Sequence, residues 1–248
     1  MTEPRQVLVV GASRGLGREL ATLFALDGWN VFATATRDIP LDADSTITWL
    51  ACDLADENSW SAATAEFSAG IDHIVFCSAF DPRTVDLPLL EGLRRSLMVN
   101  GAGAYAFLLS LVESSGGTAR VAVVNSEALY YPDRQSAAYA AGKAALKVFT
   151  AALSGLCLGR GGAVFELVLG PLDSDERRQR SAAAAAGSGR DVRDVVAQAL
   201  VKANPESKID RFIQPEDCLR LIQCGFDLGA IANGASFRLD GGSGGAFR

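Results

Sequence analysis

The chain holds a single histidine, His73, and five cysteines among 248 residues. Cys52, Cys77, Cys157, Cys218 and Cys224 are scattered, with no Cys-x-x-Cys pair among them. Zinc sites are built from clustered Cys and His, so no metal centre is expected, and His73, inside an apolar run, reads as a packed or hydrogen-bonded residue. Scattered cysteines also give no disulfide framework, which makes reduced thiols in a cytoplasm the expectation. Positive charge is in deficit: 23 Lys and Arg stand against 29 Asp and Glu, a formal net charge of −6. Binding to nucleic-acid phosphates needs a basic face, so no such partner is expected. No uninterrupted apolar run reaches the ~18 residues that span a bilayer, and no membrane segment is expected. The start, "MTEPRQVLVVGAS", passes directly into a strand pattern without a signal peptide.

What is present is ordinary globular composition, 49% hydrophobic and 21% charged. The length suits one large α/β domain over residues 1–248, with ample chain to bury a core. Short apolar runs alternate with longer helical patterns. The runs are "QVLVV" (6–10), "NVFATA" (30–35), "TITWLA" (46–51), "HIVFC" (73–77), "ARVAVVN" (119–125), "AVFELVL" (163–169) and "SFRLD" (236–240). They are apolar on both faces, as strands covered on both sides must be. Helical stretches such as 16–26, 58–68, 93–113 and 137–158 lie between them. This alternation predicts a doubly wound parallel sheet of about seven strands, a Rossmann fold, with helices on both faces. One break in composition spans 173–209, around "DERRQRSAAAAAGSGRDVRD". It reads as a mobile helical substrate lid, or equally as a solvated surface excursion.

Two stretches carry chemistry. "VVGASRGLGREL" follows the first strand and opens the first helix, with Gly11, Gly15 and Gly17 set around Ser13, Arg14 and Leu16. Glycines there let the chain turn sharply and let a phosphate approach the backbone, where the helix N-terminus offers unpaired N–H groups. A tight strand-to-helix connection would use the same residues. "AAYAAGKAAL" places Tyr139 and Lys143 four apart on a helix of small residues, one turn from each other on one face.

Gly-x-x-x-Gly-x-Gly at 11–17 together with Tyr-x-x-x-Lys at 139–143 resembles the short-chain dehydrogenase/reductase family in its compact, classical form. The resemblance runs through nearly the whole chain. "ACDLAD" is similar to the family's acidic turn after the third strand, implying that Asp53, beside Leu54, contacts the adenine. "MVN" matches the helix carrying the structural asparagine, here Asn100. "VVNSEA" puts Ser126 thirteen residues before Tyr139, the family's spacing for the active-site serine. "LGPLDS" resembles the turn over the nicotinamide and implicates Gly170, Pro171 and Ser174. "SFRLDGG" matches the closing strand.

The pattern also departs from the family. Val10 replaces the usual Thr before the first glycine. Phe76, Cys77, Ser78 and Ala79 stand where Asn-Asn-Ala-Gly is usual, Ser78 and Ala79 still leaving room for the cofactor. Gly142 takes a position often held by Ser, Gly170-Pro171 reverses the usual order, and Ser174 stands in for a threonine that bonds the carboxamide.

The resemblance implies a nicotinamide-dependent carbonyl reductase or alcohol dehydrogenase. A free phenol titrates near ~10, and a fixed ammonium one turn away is expected to lower that value and make Tyr139 a usable general acid or base. Ser126 would donate to the substrate carbonyl. Lys143 would also hold the nicotinamide ribose, and Asn100 would fix a water linking Lys143 to solvent. The acid that grips the adenosine ribose of NAD is missing: Ala35 or Thr36 occupies its place. Arg14 and Arg37, with Thr36, suit a 2′-phosphate, so NADP(H) is expected over NAD(H).

Glu127, Leu129, Tyr130 and Tyr131 border the expected pocket, and the tyrosines read equally as substrate contacts or as loop aromatics. Arg177, Arg178, Arg180, Arg190 and Arg193 read as a solvated helix face or as a patch for an anionic acyl carrier. Alternative functions are a 3-oxoacyl-thioester reductase and, in another class, a non-catalytic NADP(H)-sensing protein. The apolar and small residues of 93–113 and 137–158 predict a homo-oligomer, a tetramer or dimer.

Overall fold

The computed structural model describes residues 4–36, 46–203 and 207–242. Seven strands form one parallel sheet: β1 (Gln6–Val10), β2 (Asn30–Ala35), β3 (Ile47–Ala51), β4 (His73–Phe76), β5 (Arg120–Ser126), β6 (Ala163–Leu169) and β7 (Ser236–Leu239), in the spatial order β3-β2-β1-β4-β5-β6-β7. The helices are α1 (Gly15–Leu26), α2 (Glu57–Ala65), α3 (Leu89–Leu97), α4 (Gly103–Ser114), α5 (Ala137–Cys157), α6 (Asp175–Ser188), α7 (Val192–Ala203) and α8 (Pro215–Leu228). The expected doubly wound Rossmann sheet is thus present, with strand limits within a residue of the apolar runs.

Alternation along β1 shows why the runs had to be apolar on both faces. Val7 and Val9 pack with Leu20 and Phe24 of α1 and Ile222 and Phe226 of α8. Leu8 and Val10 pack on the other face with Phe107 and Leu111 of α4 and Leu146 and Leu153 of α5. The interior of β1 therefore faces helix on both sides, which leaves neither of its faces for polar residues.

Strand order reverses at β1, which lies between β2 and β4. In such sheets a crevice opens outside the carboxyl ends of the strands on either side of the reversal. Gly11, Ser78 and Ser126 follow or end β1, β4 and β5 there.

The third helical pattern departs from its expected form. It begins at Leu89 rather than 93, and its turn at Met98–Ala102 is a π-helix between α3 and α4. Gly103 explains the tight course that follows: a Cβ there would strike the carbonyl of Leu54. This run, Leu89–Ser114, and α5 are both long and apolar enough to cross a membrane, unlike what unbroken apolar runs predicted. Both lie on the sheet, and their apolarity serves the core on one side and an exposed apolar face on the other. Leu97, Met98 and Val148 are exposed large hydrophobics of these helices, near the stacked rings of Tyr105 and Phe149, 4.6 Å apart.

The break in composition corresponds to α6 and α7, joined at Gly189, whose φ of +67° closes α6 in the left-handed region. The excursion leaves and returns at one point, where Ile213 N–H donates to Pro171 O at 3.0 Å and Asp173 N–H to Ile213 O at 2.8 Å.

Candidate active site

The glycine loop is built by contact. A Cβ on Gly11 would lie 2.5 Å from Ser78 Cα, so only glycine lets the end of β1 meet the segment after β4. Gly17 is equally constrained, since its Cβ would strike the Gly11 carbonyl and separate α1 from the sheet. Gly15, at φ +59°, faces open space instead. The hydrogen bond lost with Val10 is replaced from the neighbouring strand: Gly11 N–H donates to Thr34 Oγ1 at 2.9 Å. Arg14 is the N-cap of α1, with no side-chain cap and no acid in the first turn. The N-terminal N–H groups between Ser13 and Leu16 are therefore left for an anion.

Around this loop the remaining predicted cofactor residues are arranged unequally. Thr36 is exposed at the end of β2, next to buried Ala35. Arg37 lies outside the described residues. Asp53 Oδ1 accepts the N–H of Ala55 at 2.9 Å, an Asx turn that fixes the loop after β3, and Leu54 is buried against Gly103. Ser78 is half-buried under Gly11, and Ala79 is exposed. Gly170 abuts Asp240, whose Cα would be 3.0 Å from a Cβ at 170. That contact accounts for glycine preceding proline here. Ser174 serves its own helix: its Oγ accepts Arg177 N–H at 3.3 Å and caps α6.

Ser126, Tyr139 and Lys143 converge at the carboxyl end of β5. Ser126 ends the strand, and its Oγ accepts Ala128 N–H at 3.2 Å. That leaves its own proton for a second acceptor, and its side chain acts on the Tyr139 phenol, favouring the phenolate. Lys143 is buried, and its Nζ lies 5.9 Å from the Tyr139 ring centroid while donating to Val124 O at 3.1 Å.

The titration differs from expectation. Tyr139 is raised, not lowered: burial outweighs the lowering influence of Ser126, and Asp81 raises it further while Arg83 lowers it. Lys143 itself is pushed down to about 8 by burial, against the opposing pull of Cys77 and Glu166. A desolvated ammonium that shares the phenol's burial does little to favour the phenolate in the protein alone.

Asn100 is fully buried in the π-turn, and its side chain is committed elsewhere than expected. Its Oδ1 accepts Phe80 N–H at 2.7 Å, and its Nδ2 donates to Phe80 O at 2.8 Å and Ser96 Oγ at 3.0 Å. Both amide N–H groups and one lone pair of Oδ1 are filled by protein, so the side chain holds the segment after β4. Gly142 fits the same place: a Cβ there would be 2.8 Å from Asn100 Cβ.

Several site residues escaped the sequence reading. Asp81 and Arg83, joined through Arg83 Nη2 and Asp81 Oδ2 at 2.6 Å, act on the phenol from the loop after β4, and nothing in "FDPR" marks them. Asn125 and Glu166 form a buried polar pair at 2.6 Å behind Lys143. Glu166 had a signal, since it is the one charge inside "AVFELVL". Tyr130 is sandwiched between Arg238 and Lys147, 4.8 and 5.6 Å from its ring centroid. Three of the excursion's arginines are engaged locally: Arg177 with Leu172 O, Arg178 with Asp173, Arg190 with Gln198. A cavity of about 640 Å³ between Lys208, Arg220 and Gly242 includes none of Ser126, Tyr139 and Lys143. No group of three potential metal ligands occurs among the described residues.

A glycine-lined crevice at a sheet reversal, with a Ser–Tyr–Lys cluster beside it, is the layout of a dinucleotide-dependent oxidoreductase. The chain belongs to the short chain dehydrogenase family, whose model matches residues 5–185. No curated protein gives a significant match. Among solved structures it is similar to a short chain dehydrogenase family protein from Francisella tularensis subsp. tularensis SCHU S4, at 18% identity and TM-score 0.76 over 98% of this chain and 99% of that one. It is also similar to a variant of actinorhodin polyketide ketoreductase solved with NADPH, at 19% identity and TM-score 0.77 over 98% of both chains. A third is L-sorbose reductase from Gluconobacter frateurii, complexed with NADPH and L-sorbose, at 18% identity and TM-score 0.76 over 96% and 95%. At these identities the likeness is one of fold.

Proposed function

We propose that the protein is an NADP(H)-dependent oxidoreductase that reduces a ketone, or oxidises a secondary alcohol, with Tyr139 as proton donor and acceptor. The observation that carries this reading is the convergence of Ser126 at the end of β5 with Tyr139 and buried Lys143 on α5, at the carboxyl edge of the sheet. We read residues 1–248 as one domain, with 173–209 as the substrate lid.

The uncapped N-terminus of α1 and the open approach at Gly15 fit a pyrophosphate. Gly11, Ser13, Arg14, Gly15, Leu16 and Gly17 would hold it, Asp53 and Leu54 would border the adenine, and Ser78, Ala79, Gly170, Pro171 and Ser174 would flank the nicotinamide end. Uncharged Ala35 and Thr36 at the end of β2, with Arg14 and Arg37, favour a 2′-phosphate. When bound, the nicotinamide supplies or accepts the hydride. Ser126 donates to the carbonyl oxygen, where negative charge develops. Tyr139 delivers its proton to that same oxygen, so alcohol forms without a free alkoxide. The raised pKa of Tyr139 keeps it protonated for this step. Lys143 orients the ribose and supplies positive charge beside the resulting phenolate.

A thioester substrate is the second reading, favoured by the fold's likeness to a polyketide ketoreductase. The local pairing of Arg177, Arg178 and Arg190 works against a carrier-binding patch. A cofactor sensor has no use for the assembled Ser–Tyr–Lys cluster. The exposed apolar face of α3 to α5 supports a homo-oligomer, tetramer or dimer, and five free cysteines fit a reducing cytoplasm. The test is NADPH consumption with ketones, diketones, quinones and acyl thioesters. Turnover of a simple ketone supports the main reading; tight NADPH binding with no consumption by any of them would favour the sensor.

A further inference from the structure

Behind the Ser–Tyr–Lys cluster lies a chain of buried polar groups that packing alone does not call for. Asn125, the residue before Ser126, is 2% exposed. Its Oδ1 accepts Ser126 N–H at 2.9 Å, and its Nδ2 donates to Lys143 O at 3.1 Å and to Glu166 Oε1 at 2.6 Å. One amide thus touches the strand that ends in Ser126, the helix that carries Lys143, and β6. Both of its N–H donors are used, and its oxygen accepts one bond.

Glu166 is 3% exposed in the middle of β6, between Val123 and Ser236 in the sheet. A carboxylate in that position carries a desolvation cost that an aliphatic residue would avoid. Its oxygens are nevertheless all engaged: Oε1 with Asn125, Oε2 with Lys147 Nζ at 3.0 Å and Ser236 Oγ at 2.9 Å. Lys147 stands one turn after Lys143 on α5. The helix is therefore pinned to the sheet twice along one face, by Lys143 on Val124 O and by Lys147 on Glu166. Apolar contacts resist separation but permit sliding; directional bonds to fixed strand atoms set the position of α5 along the strands.

We infer that Asn125 is a positioning residue that locks Ser126 and Lys143 into one geometry, and that Glu166, neutralised by Lys147, holds Asn125 in the orientation this needs. The inference rests on the proposed role of Ser126, Tyr139 and Lys143. It adds an electrostatic consequence. The groups acting on the Lys143 ammonium are Cys77 after β4, Glu166 on β6, and the Tyr139 ring on its own helix. Among these Glu166 supplies the carboxylate, so its removal with Lys147 left charged drives Lys143 further below its ordinary value.

Three variants of the full-length protein test this: Asn125→Leu, the double variant Glu166→Leu with Lys147→Leu, and the double variant Glu166→Gln with Lys147→Gln. Each is assayed for kcat and KM with NADPH and a turned-over ketone, and the Lys143 titration is read by NMR of labelled lysine side chains. Asn125→Leu and the leucine pair are expected to lower kcat by about 10–100-fold, the scale for a displaced catalytic group, with KM for NADPH far less affected. The glutamine pair keeps an acceptor for Asn125 and is expected to restore most of kcat. A single Glu166→Gln change, which leaves the Lys147 charge in place, moves the Lys143 titration downward. Wild-type kcat in the leucine pair would overturn the inference, as would equal losses in the leucine and glutamine pairs. If the unmutated protein turns over no carbonyl, the proposed function fails. The Lys143 side-chain NMR signals then decide the link alone: their displacement in Asn125→Leu supports it, and wild-type positions refute it.

Discussion

Asn100 grips Phe80 at both ends of its peptide unit, accepting its N–H at 2.7 Å and donating to its carbonyl at 2.8 Å. The bond pair joins the π-turn between α3 and α4 to the segment that runs from Cys77 past Ser78, the residue pressed against Gly11. Asn100→Ala leaves both Phe80 groups without these partners. We expect a loss of about 2–4 kcal/mol of stability, from two or three buried hydrogen bonds, and weaker NADPH binding through a loosened Ser78–Gly11 contact. Thermal unfolding and a cofactor titration check both; an unchanged NADPH Kd in a folded variant would disconnect the clamp from the cofactor site.

Tyr139→Phe removes a transferable proton. It is expected to lower kcat by about 10²–10⁴-fold, the range for general acid catalysis, with NADPH binding near normal. Lys143→Ala is expected to damage both. Near-wild-type turnover by Tyr139→Phe would show that another group delivers the proton.

The proposed preference for NADPH makes Arg14 and Arg37 its test. Arg14→Ala and Arg37→Ala should each raise KM for NADPH more than KM for NADH, because only NADPH carries the 2′-phosphate. Equal kcat/KM for the two cofactors in the unmutated protein would remove the basis for this expectation.

Lys143 is held down to about 8 by burial, against a model-peptide value of 10.5. Between those values the unfolded chain binds the proton more fully than the folded one, so this group's contribution to stability rises with pH. Below about 8 the folded protein carries the full cost of a buried ammonium. Cofactor-free Lys143→Met should therefore melt higher than wild type at pH 7, by roughly 2–8 °C for a gain of one or two kcal/mol. The advantage should shrink as pH rises from 8 toward 10.5. A constant difference across that range would mean that the charge is not its source.

His73 also titrates below its ordinary 6.5, chiefly because it is buried. Its Nδ1 bonds Gln6 O at 3.1 Å, its Nε2 has no partner, and Trp29 and Phe226 press on the ring. The unfolded chain accepts a proton near pH 6.5 that the folded one resists, so stability falls as pH drops from 6.5 toward the lowered value. His73→Leu should flatten that part of the melting-temperature profile. A profile as steep as wild type would assign acid sensitivity to other groups.

Much of the architecture was legible because sheets and glycine turns write themselves locally. Seven runs apolar on both faces required a sheet covered on both sides, and the structure has seven strands within a residue of those runs. Gly11, Gly15 and Gly17 were readable because close approach at Gly11 and Gly17 excludes a side chain and the left-handed backbone at Gly15 disfavours one. The spacing from Ser126 to Tyr139 to Lys143 was likewise a matter of one strand end and one helix face.

The roles within that frame were decided by packing. Asn100 was recognisable as a residue, but its commitment to Phe80 follows from a loop twenty positions away in sequence. Ser174 stood in a plausible position yet spends its oxygen on the first turn of α6. The phenol's raised pKa could not be read from a lysine four residues on, because the sign depends on how much water both groups lose. Asn125, Glu166, Lys147 and Ser236 belong to different elements and meet only when β5, β6, β7 and α5 close around them. By itself the sequence determined the strands, the sheet and the positions of the candidate Ser126, Tyr139 and Lys143, since those depend on local periodicity and spacing. Only the tertiary structure decided which polar groups satisfy one another and which are desolvated, because hydrogen bonding and burial are properties of neighbours in space.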